Sequence, residues 1–178
     1  AQFESSESVR LQDGEVSRIR FRHAIIATGS RPIPSPGTEF AAGSRVMSST
    51  GALALADVPP SLLVLGGGYV GLELGTVYAA LGSRVSLVEL QDRLLPGVDA
   101  DLVDPLHRRL KTIFADIWLN TRVKTLQEDK TGVTVGLEGT GVAPEQRFDR
   151  VLVAIGRKPA TQELGLEHTR VQLDAKGF

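Results

Sequence analysis

The sequence predicts an α/β fold: a parallel sheet with an added antiparallel β-meander. Three observations carry this. The apolar run at residues 62–65 leads into a turn, Gly66-x-Gly68-x-x-Gly71, followed by a helical pattern and a second apolar run that ends on Glu89. From Ile117 onward, short β-rich runs alternate with turn residues. Two similar segments, AIIATGSRP at residues 24–32 and VLVAIGRKP at residues 151–159, flank the glycine turn, each an apolar run broken by a glycine with a proline three residues later. Two such strands on either side of one unit predict a domain inserted into another, with the chain crossing over twice.

Taken in order, residues 3–12 and 16–28 read as strands joined at Asp13-Gly14, a hairpin signal. The second becomes the continuous apolar run Ala24-Ile25-Ile26-Ala27, a buried strand by its pattern. Residues 31–37, RPIPSPG, carry three prolines, which stop regular structure and mark a connector. Residues 48–56 predict a short helix with a Ser or Thr N-cap, and Pro59-Pro60 delivers the chain to the strand before the glycine turn.

In that turn each glycine has a physical reason. Gly66 permits the tight exit from the strand, Gly68 lets the backbone approach a pyrophosphate, and Gly71 lets the helix lie close on the sheet. The helix starting near Tyr69 offers unpaired N–H groups and its positive end to phosphate. Val70, Leu72, Leu74, Val77 and Leu81 supply its apolar residues, Gly75 shares the Gly71 face, and Gly82 ends it. Glu89, 23 residues after Gly66, stands where a carboxylate accepts hydrogen bonds from both ribose hydroxyls. Its charge repels a 2′-phosphate, which favours NAD over NADP. The order strand, glycine turn, helix, strand, acid defines a Rossmann-like dinucleotide site.

Beyond it, residues 91–97 read as a loop. Asp101 is expected to cap a helix whose apolar face is Leu102, Val103, Leu106, Leu110 and Ile113, with Pro105 near its start. Residues 117–119 predict a third parallel strand, residues 123–127, 133–137 and 147–154 the meander, and residues 151–155 the final buried strand.

Composition bounds the function. At 178 residues, 42% hydrophobic, the chain can bury a sizeable core, and 20 basic against 21 acidic residues leave a net charge of -1. No charge imbalance points to nucleic acid or a membrane surface, and no apolar run reaches the roughly 20 residues of a membrane span. A cytoplasmic protein is expected. The absence of cysteine excludes disulfides, thiolate metal sites and thiol chemistry within these residues. His23, His107 and His168 have no metal-ligand spacing, so no metal site is expected. Both ends read as cut, so the chain is expected to be the central fragment of a longer protein.

Ala27-Thr28-Gly29-Ser30-x-Pro32, then GGGYVGLELG at residues 66–75, Val88-Glu89, and AIGRKP ending at Pro159 together resemble the two-dinucleotide flavoprotein disulfide reductases, in order and over nearly the whole chain. The resemblance implies an FAD-binding domain interrupted by an NAD-binding domain: residues 1–32 as the end of the first FAD segment, 33–156 as the NAD domain, and 157–178 as the start of the return. It implies an oxidoreductase that passes electrons from dihydrolipoyl groups through a redox disulfide and FAD to NAD⁺. Its partners would be NAD(H), the lipoyl domain of a 2-oxo acid dehydrogenase complex, and a second copy of the chain.

By the same resemblance Gly66, Gly67, Gly68, Val70, Gly71 and Leu72 belong to the pyrophosphate turn and Glu89 binds ribose. Tyr69 resembles the aromatic that covers the flavin, and Glu73 the glutamate near the nicotinamide ribose and amide. Val123 matches a residue at the adenine end, Gly156 one lining the NAD cleft, and Thr28, Gly29 and Ser30 the segment abutting FAD. Departures from the family pattern limit the expectation. The N-terminal FAD fingerprint, the Cys pair, the later Gly-Asp motif and the His-Glu base pair are absent, and Ala160 stands where Asn is frequent. This chain alone is therefore expected to bind NAD and to catalyse nothing, with FAD held weakly or not at all. The alternatives are a mercuric, glutathione or transhydrogenase-type reductase of the same fold, and a non-catalytic NAD-binding module.

Overall fold

A computed structural model describes residues 1–178. Along the chain run β1 (Gln2–Ser5), β2 (Ser8–Arg10), β3 (Arg18–Arg20), β4 (Ser30–Pro32), β5 (Val46–Met47), α1 (Ser49–Leu53), β6 (Ser61–Leu65), α2 (Tyr69–Ala80), β7 (Arg84–Val88) and α3 (Ala100–Leu110). There follow β8 (Asp116–Trp118), β9 (Arg122–Glu128), β10 (Val133–Glu138), β11 (Glu145–Phe148), β12 (Arg150–Val153), β13 (Arg157–Pro159) and a 3₁₀ turn, Leu166–His168. The chain divides into two compact units, residues 1–31 with 157–178, and residues 32–156.

In the larger unit a five-stranded sheet runs β5-β12-β6-β7-β8, parallel throughout. Its central strand β6 is buried on both faces because Leu62 and Val64 point one way and Leu63 and Leu65 the other. On the first face they meet Leu72, Leu74 and Tyr78 of α2, Ala52 of α1, Val103 and Leu110 of α3, and Phe114. On the second they meet Val133, Val135, Leu137 and Phe148 of a three-stranded antiparallel sheet, β11-β10-β9. The result is three layers, helices, parallel sheet and antiparallel sheet. Each fully buried Leu or Val contributes about 1.5–3 kcal/mol.

The helix ends follow local chemistry. Ser48 caps α1, its hydroxyl accepting the Gly51 N–H. After α2, Gly82 (φ 106°) and Ser83 donate to the Ala79 and Tyr78 carbonyls, a Schellman ending that only a left-handed residue completes without strain.

Several expectations are corrected in this unit. The cap of α3 is Asp99, and Asp101 sits in the first turn. Pro105 therefore lies in mid-helix, where its ring removes an internal hydrogen bond. Only Val103 and Leu110 of the expected α3 residues are fully buried, with Leu102 67% exposed. The run at residues 147–154 is two strands in different sheets. They part at Asp149, whose carboxylate accepts both the N–H and the hydroxyl of Ser61 at the start of β6.

The smaller unit carries a three-stranded antiparallel sheet, β1-β2-β3. The expected strand over residues 3–12 breaks at a turn at Ser6-Glu7, and Asp13-Gly14 lies in the loop between β2 and β3. Phe3 packs edge-on against Phe21, with ring centres 6.0 Å apart. The Phe3 N–H donates to the Leu164 carbonyl, beside the left-handed Gly165. Strand β4 pairs with β13, so the three-proline stretch is not wholly irregular: Arg31 and Pro32 are in a strand.

The buried strand expected at Ala24-Ile25-Ile26-Ala27 is not formed. These residues belong to no strand and Ile25 is 94% exposed. An apolar run becomes a strand only when a neighbour takes its backbone hydrogen bonds, and no strand pairs with this one. The likeness to residues 151–159 survives in the backbone, since Gly29 (φ 71°) and Gly156 (φ 144°) are both at positive φ.

Candidate functional site

The site forms where β6, β7 and β12 end. β6 connects through α2 to β7 on one side and is flanked by β12 on the other, so its C-terminal end is a point where the direction of winding reverses. In open α/β sheets ligands bind in the crevice at such a point. The strand ladder continues past each strand: Ala154 N–H donates to the Leu65 carbonyl at 2.8 Å, Gly66 to Val88 at 2.9 Å, and Glu89 to Trp118 at 2.9 Å.

Gly66 has φ 105°, and a β-carbon on it would collide with the Ala154 carbonyl, so neither conformation nor space admits a side chain. A β-carbon on Gly71 would strike the Gly66 carbonyl oxygen and lie 3.1 Å from Val64 Cγ1. One on Gly75 would lie 2.9 Å from Phe114 Cζ. These two glycines bring α2 down onto β6. Gly68 differs, with nothing within 4 Å of its β-carbon position. Its freedom faces open space, the geometry a ligand backbone requires.

At the N-terminus of α2 the N–H groups of Gly68, Tyr69, Val70 and Gly71 meet no acceptor in the chain, and no side chain caps the helix. Four aligned donors at the positive end of a helix suit a pyrophosphate. Glu89, 8% exposed, accepts the Gly67 N–H at 2.6 Å and the Gln91 N–H at 2.8 Å. Each oxygen keeps a further lone pair for a ribose hydroxyl. These features fit a dinucleotide with a free 2′-hydroxyl.

The remaining sequence candidates fall in several places. Leu72 is buried in the core beneath the turn, and Val70 packs against the same cluster. Tyr69, 65% exposed, and Glu73 lie one helical turn apart on the solvent side of α2. Gly156 follows β12, its carbonyl accepting the Ile33 N–H at 3.0 Å. Val123 is in β9, opposite Leu137 and packed on the second core cluster, two residues from Thr121, whose N–H donates to the Glu89 carbonyl. Thr28, Gly29 and Ser30 belong to the smaller unit, where Arg157 donates to the Ser30 hydroxyl at 2.7 Å and Ala160 N–H donates to the Gly29 carbonyl at 2.9 Å. A hollow of about 700 Å³ in that unit, walled by Lys158, Thr161, Leu164, Leu166, Val171 and Lys176 among others, contains none of the expected residues.

Sequence reasoning missed the loop after β7. Leu94 has no solvent exposure and closes over Gly67, while the Leu95 N–H donates to the Gly67 carbonyl at 2.9 Å. The signal was present as an apolar pair followed by Pro96-Gly97 within an otherwise polar loop.

Fold and site together define a Rossmann-type α/β unit whose glycine turn has a geometry that suits a nucleotide. The profile of the pyridine nucleotide-disulphide oxidoreductases matches residues 1–178, and the chain belongs to that family. It is 40% identical over 179 aligned residues to a dihydrolipoyl dehydrogenase of Geobacillus stearothermophilus and 42% identical over 180 to one of Bacillus subtilis (strain 168). Each alignment covers 100% of this chain and 38% of the relative, so the chain spans well under half the length of these relatives. Among solved structures, the HOCl-induced flavoprotein disulfide reductase RclA of Escherichia coli, in a Cu(II) complex, superposes with a TM-score of 0.82 at 30% identity, over 99% of this chain and 39% of that one. LpdA of Mycobacterium tuberculosis gives 0.78 at 27% identity, over 95% of this chain and 36% of that one.

Proposed function

We propose that the chain is the NAD(H)-binding portion of an FAD-dependent dihydrolipoyl dehydrogenase, and that residues 33–156 are its NAD domain, inserted between FAD-domain segments at 1–32 and 157–178. The observation that carries the reading is the tie between Glu89 and the Gly67 N–H, which holds a carboxylate beside the glycine turn. The N–H groups of residues 68–71 receive the pyrophosphate, and Glu89 takes the adenine-ribose hydroxyls and turns away a 2′-phosphate. Val123 lies toward the adenine end, with Gly156, Tyr69 and Glu73 toward the nicotinamide. Bound NAD⁺ supplies a hydride acceptor; the chain's part is to hold and orient it.

In the whole protein, electrons from dihydrolipoyl groups would reach NAD⁺ through a redox disulfide and FAD, with a lipoyl domain and a second copy as partners. This chain has no cysteine and its smaller unit has no α-helix, and the residues proposed on the FAD side are Thr28, Gly29 and Ser30. Identities of 40% and 42% to dihydrolipoyl dehydrogenases, against 30% to RclA, favour the dihydrolipoyl reading over another reductase of this fold. Isothermal titration of the 178-residue chain tests the site. NADH binds and NADPH binds at least about tenfold more weakly, a gap of about 1.4 kcal/mol. Equal affinities would remove the role given to Glu89.

A further inference from the structure

We propose that Leu95 is a positioning residue for the nucleotide turn: by holding the Gly67 carbonyl with its own N–H, it aims the Gly68 N–H at the pyrophosphate. The inference rests on the reading of the turn as an NAD site and adds to it the device that presets the turn.

The Leu95 N–H lies 2.9 Å from the Gly67 carbonyl oxygen. In a planar trans peptide the carbonyl and the following N–H point in opposite directions. Fixing the Gly67 carbonyl toward the loop therefore turns the Gly68 N–H away from it, and that N–H meets no acceptor in the chain. The Gly71 N–H is free for a separate reason: it is one of the four first-turn donors, and the helical ladder begins only at the Leu72 N–H on the Gly68 carbonyl.

The loop is built to keep that amide in place. Leu95 has φ 48°, a left-handed conformation that non-glycine residues seldom adopt. Leu94 beside it is fully buried, and a β-carbon on Gly67 would lie 2.7 Å from Leu94 Cδ2. On the other side, Leu95-Pro96-Gly97-Val98 is a turn closed by the Val98 N–H on the Leu95 carbonyl at 3.0 Å, with Gly97 at φ 96°. Glu89 holds the preceding peptide through the Gly67 N–H, so two successive peptide units of the turn are fixed before any ligand arrives. Such preorganisation removes ordering cost from binding.

The test separates the conformation of Leu95 from its bulk. Leu95→Gly keeps the N–H and accepts a left-handed φ, whereas Leu95→Val keeps the N–H on a β-branched residue that resists it. NADH affinity is measured by titration on the 178-residue chain, together with the ¹⁵N–¹H resonance of Gly68. Leu95→Val weakens NADH by about tenfold or more and shifts the free-state Gly68 resonance, while Leu95→Gly stays within about threefold with that resonance in place. A merely structural role would move melting temperature without this pairing of Gly68 signal and affinity. Should Leu95→Val fail to fold, Leu94→Ala, which removes the side chain closing over Gly67, is expected to give the same paired change. If the parent chain binds NADH and the folded variants bind it equally well with Gly68 unmoved, the positioning role is overturned and the NAD site stands. If the parent chain does not bind NADH, the reading of the site falls first.

Discussion

Glu89 Oε2 accepts the Gly67 N–H at 2.6 Å, which locks the end of β7 to the turn after β6. The acid therefore braces the fold in addition to the ligand role proposed for it, and the two roles separate experimentally. Glu89→Ala leaves the buried Gly67 N–H without an acceptor, a loss of about 1–3 kcal/mol in urea unfolding. The same variant narrows the NADH-over-NADPH preference by about 1–2 kcal/mol in titration, because the charge that repels a 2′-phosphate is gone. Glu89→Gln keeps an acceptor oxygen for Gly67 and should narrow the preference with a smaller loss of stability.

The two glycines of α2 should respond differently to a methyl group. At Gly71 the added β-carbon meets the Gly66 carbonyl, a backbone atom in a turn that cannot shift without moving the site. Gly71→Ala is expected to lose about 1–3 kcal/mol of stability and to weaken NADH binding, since overpacking costs that much. At Gly75 the neighbour is the ring edge of Phe114, a side chain that can tilt, and alanine is the better helix former by about 1 kcal/mol. Gly75→Ala should therefore come out near neutral in the same unfolding assay and leave NADH affinity unchanged.

What the sequence disclosed divides along a physical line. The turn from Gly66 to Gly71, the helix it opens, the Gly82 ending and the strands on either side were legible because each is specified by local chemistry: a period, a glycine at positive φ, an N–H needing a partner. Asp99 rather than Asp101 as the cap of α3, and the exposure of Leu102, were not legible, because several acids stand near that start and burial depends on neighbours distant in sequence. Ala24-Ile25-Ile26-Ala27 misled for the same reason, since its composition suits a strand but a strand requires a partner. The part of the site least visible in advance, Leu94 and Leu95, lies in a loop whose contacts are almost all non-local.

His107 gives the chain a pH response of known sign. Burial, with the nearby Lys111 charge, holds its imidazole below the ordinary value of about 6.5, against the weaker pull of Asp104. The folded form thus gives up the proton more readily than the unfolded form. Its contribution to stability is fully present above about 6.5 and is lost as pH falls through the lower folded value. NMR titration of the His107 ring should place its midpoint below that of a free histidine. His107→Gln should flatten the decline in stability over the same interval.

Asp149 separates two strands of different sheets, and its carboxylate is expected to hold that corner. Its Oδ2 accepts the Ser61 N–H at 2.9 Å and the Ser61 hydroxyl at 2.6 Å, and its own N–H donates to the Ser61 oxygen at 2.9 Å. The three bonds pin the start of β6 beside the start of β12, and β6 carries Gly66 at its other end. Asp149→Ala removes the acceptor for two donors, at about 1.5–3 kcal/mol for hydrogen bonds to a charged group. Asp149→Asn keeps one oxygen that can serve both donors and should recover at least half of that loss. Chemical unfolding measures the two variants. NADH affinity distinguishes a corner that merely stabilises the sheet, where binding by the folded variant is unchanged, from one whose loosening reaches the far end of β6; the first outcome is expected, because the β6 ladder to β7 and β12 is complete from Leu62 to Leu65 without Asp149.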